Sequence, residues 1–288
     1  YSDMSNDTSW GSNGTVGRSG SCRTYYSYGI KVHNGIIYVG SYYDRKIRKI
    51  RVSDGACLGS ITPGHIYAYP RAIDIHNGHL YASTNRGLFT LNISNGASKI
   101  CPGTNRNELR YSYTITGSGS YLYSHYSYRM YRGTLTSSGS NLCPTSVKNF
   151  YDSSMSYGYG MTAHPTNPNE LYFMSRGRNS IYKITVNSNG TGRTINWQKG
   201  RYGYNKQSTA TQNYFYYPWG IHYDDDNDRL IVSGYSAKKI QVFDSDGVFI
   251  KDKGGLAATT RMAAAHAAIK AIVTDSNLTS GVNFGFGY

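Results

Sequence analysis

Apolar residues over most of this chain come in short bursts, each closed by a polar turn with glycine. The clearest burst is Ile47-Arg48-Lys49-Ile50-Arg51-Val52, closed by Ser53-Asp54-Gly55. A near copy, Leu88-Phe89-Thr90-Leu91-Asn92-Ile93, closes with Ser94-Asn95-Gly96. Further copies run from Ile181 through Ile184 and Val186 to Gly190, from Met130 through Leu135 to Gly139, and from Ile240 through Phe243 to Gly247. Each copy reads as an apolar strand ending in a polar turn, whose glycine accepts the positive φ that the turn needs.

Another apolar triplet precedes each copy: Ile37-Tyr38-Val39, Leu80-Tyr81-Ala82, Leu122-Tyr123-Ser124, Leu171-Tyr172-Phe173 and Leu230-Ile231-Val232. Ahead of these lies an inner strand, beginning near Gly29-Ile30, Ala72-Ile73, Tyr113-Thr114, Gly160-Met161 and Gly220-Ile221. A shorter outer strand follows the glycine turn, as in Ala56–Ile61 and Val248–Asp252. Four strands therefore recur in five units, at roughly 25–64, 67–103, 108–146, 151–200 and 214–255. One four-stranded meander cannot bury both faces, whereas radial stacking buries them and leaves only short edges. The expectation is an all-β fold, a five-bladed β-propeller over 25–255, with a sixth blade open to completion by residues outside the chain. Tyr217-Pro218-Trp219-Gly220-Ile221, followed by an acidic turn and Arg229-Leu230-Ile231-Val232, resembles the repeat of NHL-type propellers. That resemblance implies binding more often than catalysis.

The last segment, 256–288, breaks the pattern. Met262, Ala265, Ile269, Ile272 and Val273 share one face at helical spacing, so a helix is expected from about Arg261 to Thr274, capped by Thr259 or Thr260. Val282-Asn283-Phe284-Gly285-Phe286-Gly287-Tyr288 then alternates like a strand. Arg261 to Val273 and Gly281 to Gly285 resemble the first helix and second strand of a von Willebrand A domain, most like those of PilY/PilC-type type IV pilus tip adhesins. In that family a metal-ion-dependent adhesion motif, D-x-S-x-S, sits just before this helix. The chain begins Tyr1-Ser2-Asp3-Met4-Ser5-Asn6-Asp7. The resemblance implies that segment 1–24 carries the remainder of that loop, or a variant on Asp3 and Ser5, with the propeller inserted into a split A domain. The family more usually places its propeller after that domain. The alternative is a flexible Ser/Gly/Asn tail over 1–20.

Composition narrows the function classes. Charged residues make up 16% of the 288, yet the net charge is +14, from 30 basic and 16 acidic side chains. Such a balance favours anionic partners, namely nucleic acid, phospholipid surfaces or acidic polysaccharide, or serves solubility alone. The 30 tyrosines and 33 glycines suit short strands and tight turns. No apolar run is long enough for a membrane span. The chain starts without Met and reads as a mature or excised segment. Cys22, Cys57, Cys101 and Cys143 form no CxxC pair, and two disulfides among them allow three connectivities.

Tyrosines cluster ahead of each inner strand, where propeller loops gather around the central channel. Tyr28, Tyr69, Tyr113, Tyr159, Tyr217 and Trp219 are the expected ligand-binding residues, joined by Tyr202 and Tyr204 from the long loop Lys199 to Tyr217. Rigid rings with polar tips suit sugars or a protein partner; the competing role is packing between blades. His33, His76 and His164 are expected at equivalent positions, with Thr116 and Asp224 completing the set, and would bind a metal only if they converge. Asp224, Asp226 and Asp228 offer hard oxygen ligands for calcium. Arg45, Lys46, Arg48, Lys49 and Arg51 put five cations on one strand and its approach, facing solvent or an acidic glycan. No nucleophile elbow, HExxH, P-loop, dinucleotide fingerprint or base-reading motif occurs.

The sequence therefore points to an extracellular adhesion or binding module without catalytic residues. Its expected partners are a host or environmental surface, an acidic polysaccharide or a protein, and pilus or filament subunits. A secreted metal-dependent propeller enzyme and a lectin are the alternatives.

Overall fold

The second strand of each unit is apolar on both sides, and this dictates how the units pack. A computed structural model describes residues 22–64, 67–101, 109–136, 143–200, 215–236 and 239–254. The first blade comprises β1 (Ser27–His33), β2 (Ile36–Ser41), β3 (Lys46–Arg51) and β4 (Cys57–Ile61). The second comprises β5 (Ala72–His76), β6 (His79–Thr84), β7 (Gly87–Asn92) and β8 (Ser98–Cys101). In the third are β9 (Thr114–Ser118), β10 (Tyr121–Tyr126), β11 (Arg129–Thr134) and β12 (Thr145–Tyr151). The fourth holds β13 (Gly158–Ala163), β14 (Glu170–Ser175), β15 (Ser180–Val186) and β16 (Arg193–Gly200). The fifth holds β17 (Pro218–Asp224), β18 (Arg229–Gly234), β19 (Lys239–Asp244) and β20 (Phe249–Gly254). Every blade is an antiparallel meander whose sheet order follows chain order. The fold is an all-β propeller of five four-stranded blades, and one 3₁₀ turn (Ser153–Met155) is the only helical element among the described residues. The expected C-terminal helix and strand, the N-terminal segment 1–21 and Gly139 lie outside the described residues.

Successive residues of the second strands point into different interfaces. Tyr38 packs with Ile47, Ile73, Leu80 and Phe89 between blades one and two. Its neighbours Ile37 and Val39 face the other way, onto Ile30, Ile50 and Cys22. Tyr81 joins Leu122 and Ile115 in the next interface, and Tyr123 joins Met161 and Phe173 in the one after. Tyr172 and Met174 then meet Ile221, Leu230 and Phe243. In the first four blades the central tyrosine of the triplet thus reaches from one blade to the next. Burial pushes the Tyr81 and Tyr123 phenols up to about 12.

The inner strands pack in chain order, β1 on β5, β5 on β9, β9 on β13 and β13 on β17. Two hairpins carry the repeated Asn-Gly turn. Asn34 and Gly35 have φ of 47° and 70°, and Asn77 and Gly78 have 48° and 72°, the signs required by a two-residue turn that matches strand twist. Two disulfides settle the cysteine pairing. Cys22–Cys57 clasps the first blade to the segment leading into it, and Cys101–Cys143 ties the second blade to the third. No helix among the described residues is long and apolar enough to cross a membrane.

Candidate ligand-binding face

Four of the five loops leading into the inner strands share a backbone device. Counting back from the core residues Ile30, Ile73, Ile115, Met161 and Ile221, a tyrosine stands four residues upstream in every blade: Tyr26, Tyr69, Tyr111, Tyr157 and Tyr217. Four of these adopt left-handed φ: Tyr26 at 54°, Tyr111 at 58°, Tyr157 at 50° and Tyr217 at 48°. That conformation costs a bulky residue about 1 kcal/mol or more. Backbone bonds from the loop after the second strand hold it in place, from Tyr42 N to Tyr26 O, Arg176 N to Tyr157 O and Tyr235 N to Tyr217 O. In blades one, four and five the register then shifts, between Ser27 and Ile30, Gly158 and Gly160, and Pro218 and Gly220. Such bulges re-aim a side chain. The residues they carry are Tyr28, Tyr159 and Trp219.

At the equivalent position the five blades present Tyr28, Arg71, Tyr113, Tyr159 and Trp219, which form an arc. Tyr113 and Tyr159 stack at 4.5 Å, and Tyr159 meets Trp219 at 4.5 Å with planes tilted by 46°. Arg71 lies 5.0 Å from the Tyr113 ring, 5.2 Å from Tyr42 and 5.3 Å from Tyr111, and its Nη2 donates to Tyr42 Oη at 3.3 Å. Tyr42 meets Tyr28 at 5.5 Å and Tyr69 at 4.9 Å. At the other end Arg176 lies 5.0 Å from Tyr159, 4.9 Å from Tyr217 and 5.1 Å from Trp219, and its Nη1 donates to Tyr159 Oη at 3.1 Å. Burial raises the Tyr28 and Tyr159 phenols above the ordinary range, so both stay protonated donors at neutral pH. Outside the arc, Tyr25, Tyr43, Tyr67 and Tyr157 are about half exposed. Arg23 lies over Tyr25, and Arg45 over Tyr67 and Tyr69.

Of the expected binding residues, Tyr28, Tyr113, Tyr159 and Trp219 come together in the arc. Tyr69 and Tyr217 flank it, four residues ahead of the core position. Tyr202 and Tyr204 lie outside the described residues. Three members are absent from the sequence expectation. Arg71 occupies the aromatic position of its blade, a place that strict alignment on Ile73 would have found. Tyr42 and Arg176 come from the loops between second and third strands, which converge on the same face only once the blades are assembled.

The two faces of the ring differ in charge. On the loops of the arc the described carboxylates are Asp44 and Asp152, already bound by Arg48 and Arg193. The opposite turns carry the exposed Asp54, Asp225, Asp226, Asp228 and Asp246. Between the faces, inside the ring, Lys31 pairs with the buried Asp74 at 2.8 Å, whose other oxygen accepts from Gly117 N at 2.6 Å. His222, also buried, is pushed down to about 3 by its burial and then by Lys31.

Of the expected metal ligands, Asp224, Asp228, His76 and His164 have protein partners, and Asp226 is exposed. Asp224 is 1% exposed and accepts from Arg229 Nε at 2.6 Å and from Asn227. Asp228 accepts from Tyr223 Oη and from Ser245 at 3.0 Å. His76 bonds Gly119 O at 2.8 Å, while His164 lies near Glu170 at 3.8 Å. The hairpin registers place Ser118, and not Thr116, opposite this position in blade three, because His33, His76 and Ser118 each pair with the residue just after their turns. Among the described residues no three His, Cys, Asp or Glu side chains are placed to hold a metal.

No protein-family profile matches the chain, and a search of curated proteins found no match. Solved structures do match its fold. A streptogramin B lyase structure superposes with a TM-score of 0.58 at 16% identity, covering 83% of this chain and 72% of that one. A functionally unknown protein from Desulfotomaculum acetoxidans DSM 771 gives 0.56 at 15%, covering 82% and 73%. A chain of a mitotic checkpoint complex gives 0.53 at 11%, covering 80% and 66%. At these identities the likeness concerns the propeller fold alone.

Proposed function

We propose that this chain is an extracellular binding module that works in adhesion and catalyses no reaction. One observation carries the reading: the equivalent position of all five blades, re-aimed by a bulge in three of them and led by a left-handed tyrosine in four, builds a continuous aromatic and cationic arc on one face. Packing alone does not call for left-handed tyrosines in four blades, and rigid rings with hydroxyl tips are the residue type that binding surfaces favour. Two disulfides agree with an oxidising compartment. The resemblance of both chain ends to a split von Willebrand A domain supports placement in a surface filament such as a type IV pilus tip.

Beads coated with the protein test this reading. Replacing the exposed Tyr25, Tyr43, Tyr67 and Tyr157 together by serine should abolish attachment to the surfaces that wild type adheres to. Asp225→Asn with Asp226→Asn on the opposite face should leave attachment unchanged. Equal attachment by all three proteins would remove the binding-face reading.

A further inference from the structure

Five arginines of the arc face have aromatic neighbours. Arg23, Arg45, Arg71, Arg110 and Arg176 each lie over at least one tyrosine ring, within 5.4 Å. Neither Arg71 nor Arg176 is bridged to a carboxylate among the described residues, and the Nε of each is a buried donor without an acceptor. A buried donor left unmade costs about 1–3 kcal/mol. Both guanidiniums are half-buried and bracket the stacked Tyr113–Tyr159 pair, one over each ring. Rings hold a guanidinium in plane but do not neutralise it.

We infer that the ligand of this face is a carboxylated polysaccharide, a polyuronate, whose carboxylates pair with Arg71 and Arg176. The inference rests on the binding-face reading above and adds the chemistry of the ligand. A planar carboxylate matches the guanidinium fork. Sugar hydroxyls match the phenol donors that line the arc from Tyr28 to Tyr159. An arc spanning five blades suits a linear polymer of repeated charge. Nucleic acid fits less well, because Tyr113 and Tyr159 stack on each other and leave no gap for a base. The acidic opposite face directs such a polymer to this side only.

Binding of polygalacturonate, measured by surface plasmon resonance at physiological salt, tests the inference. Dextran, dextran sulfate, polyglutamate and double-stranded DNA serve as comparators. Polygalacturonate should bind, dextran should not, and Arg71→Gln and Arg176→Gln should each weaken binding about tenfold. Arg176→Lys should recover only part of the loss. The charge-matched variant Lys49→Gln, on β3, should bind within about twofold of wild type. An equal loss in that variant would reduce the effect to net charge and overturn the inference. Tighter binding of dextran sulfate, polyglutamate or DNA would overturn it in favour of a sulfated polymer, an acidic polypeptide or a nucleic acid. Should the glutamine variants fail to fold, phenylglyoxal modification of the wild-type protein decides: polygalacturonate should shield Arg71 and Arg176 and dextran should not, and equal labelling would overturn the inference. Loss of bead attachment in the serine variant without polygalacturonate binding would sink the ligand class alone. Attachment indifferent to that variant would sink the binding face itself.

Discussion

Tyr113 of the third blade and Tyr159 of the fourth lie 21° from parallel at 4.5 Å, so the rings of the arc also bind one blade to the next. The side chains proposed to meet the ligand therefore also hold the blades together. Tyr159→Phe keeps the stack and removes the bond donated by Arg176 at 3.1 Å. It should cost about 1 kcal/mol of stability. Tyr159→Ala removes the ring from both neighbours and should cost about 3 kcal/mol. Urea unfolding of the two variants measures the difference, and equal losses would mean that the stack contributes nothing.

Close approach of the first two blades depends on Gly29. A Cβ there would stand 2.8 Å from Ile73 N and 3.0 Å from Arg71 O, both backbone atoms that cannot swing aside. Gly29→Ala should destabilise by about 2 kcal/mol or more through forced separation of β1 and β5, and should displace Arg71 from the arc. Gly35 offers the contrast. Nothing lies within 4 Å of its Cβ position, but its φ is +70°, so Gly35→Ala should cost only about 1 kcal/mol. Unfolding midpoints rank the two. Binding should fall for the first variant only.

Blade boundaries were legible because each repeat advertises itself three times: an apolar triplet, with a central tyrosine in four of the five, a longer strand, and a glycine turn. Ile37-Tyr38-Val39 and Leu171-Tyr172-Phe173 announce two-sided burial without any structure. The site was only half legible. Tyr28, Tyr113, Tyr159 and Trp219 stand out as aromatics, but Arg71 is not aromatic and was hidden beside the more conspicuous Tyr69. Tyr42 and Arg176 lie about 14 to 17 residues downstream of the ring residues in their own blades, and only the hairpin fold-back brings them onto the same face. The disulfide pairing was open for a similar reason, since Cys101 and Cys143 belong to different blades.

The acidic run at 224–228 contains two kinds of carboxylate. Asp224 is buried against Arg229 and Asn227, whereas Asp226 is exposed. Removing one partner from a largely buried pair leaves the other charge uncompensated. Asp224→Asn should therefore destabilise by about 2 kcal/mol, while Asp226→Asn should change stability by less than about 0.5 kcal/mol. Thermal unfolding of both, with and without millimolar calcium, checks this. A calcium-dependent rise in the wild-type midpoint that Asp226→Asn abolishes would show instead that the run rearranges around the ion.

Acid should unfold this protein through its buried histidines. Burial drives His125 down to about 3, and burial with the nearby Lys31 charge does the same to His222. In the unfolded chain both return to about 6.5. Between those values the unfolded state binds protons that the folded state refuses. Their contribution is therefore complete above about 6.5 and is lost as pH falls towards 3, at about 1.4 kcal/mol per pH unit for each histidine. Asp228, held below the ordinary carboxylate range by its bond from Tyr223, loses its stabilising effect further down in the same direction. Urea midpoints at pH 7, 6, 5 and 4 should fall steadily, and His222→Gln should flatten the slope by about half, because glutamine takes up no proton in either state. A midpoint independent of pH across this window would show that both histidines are solvated and protonate freely in the folded protein.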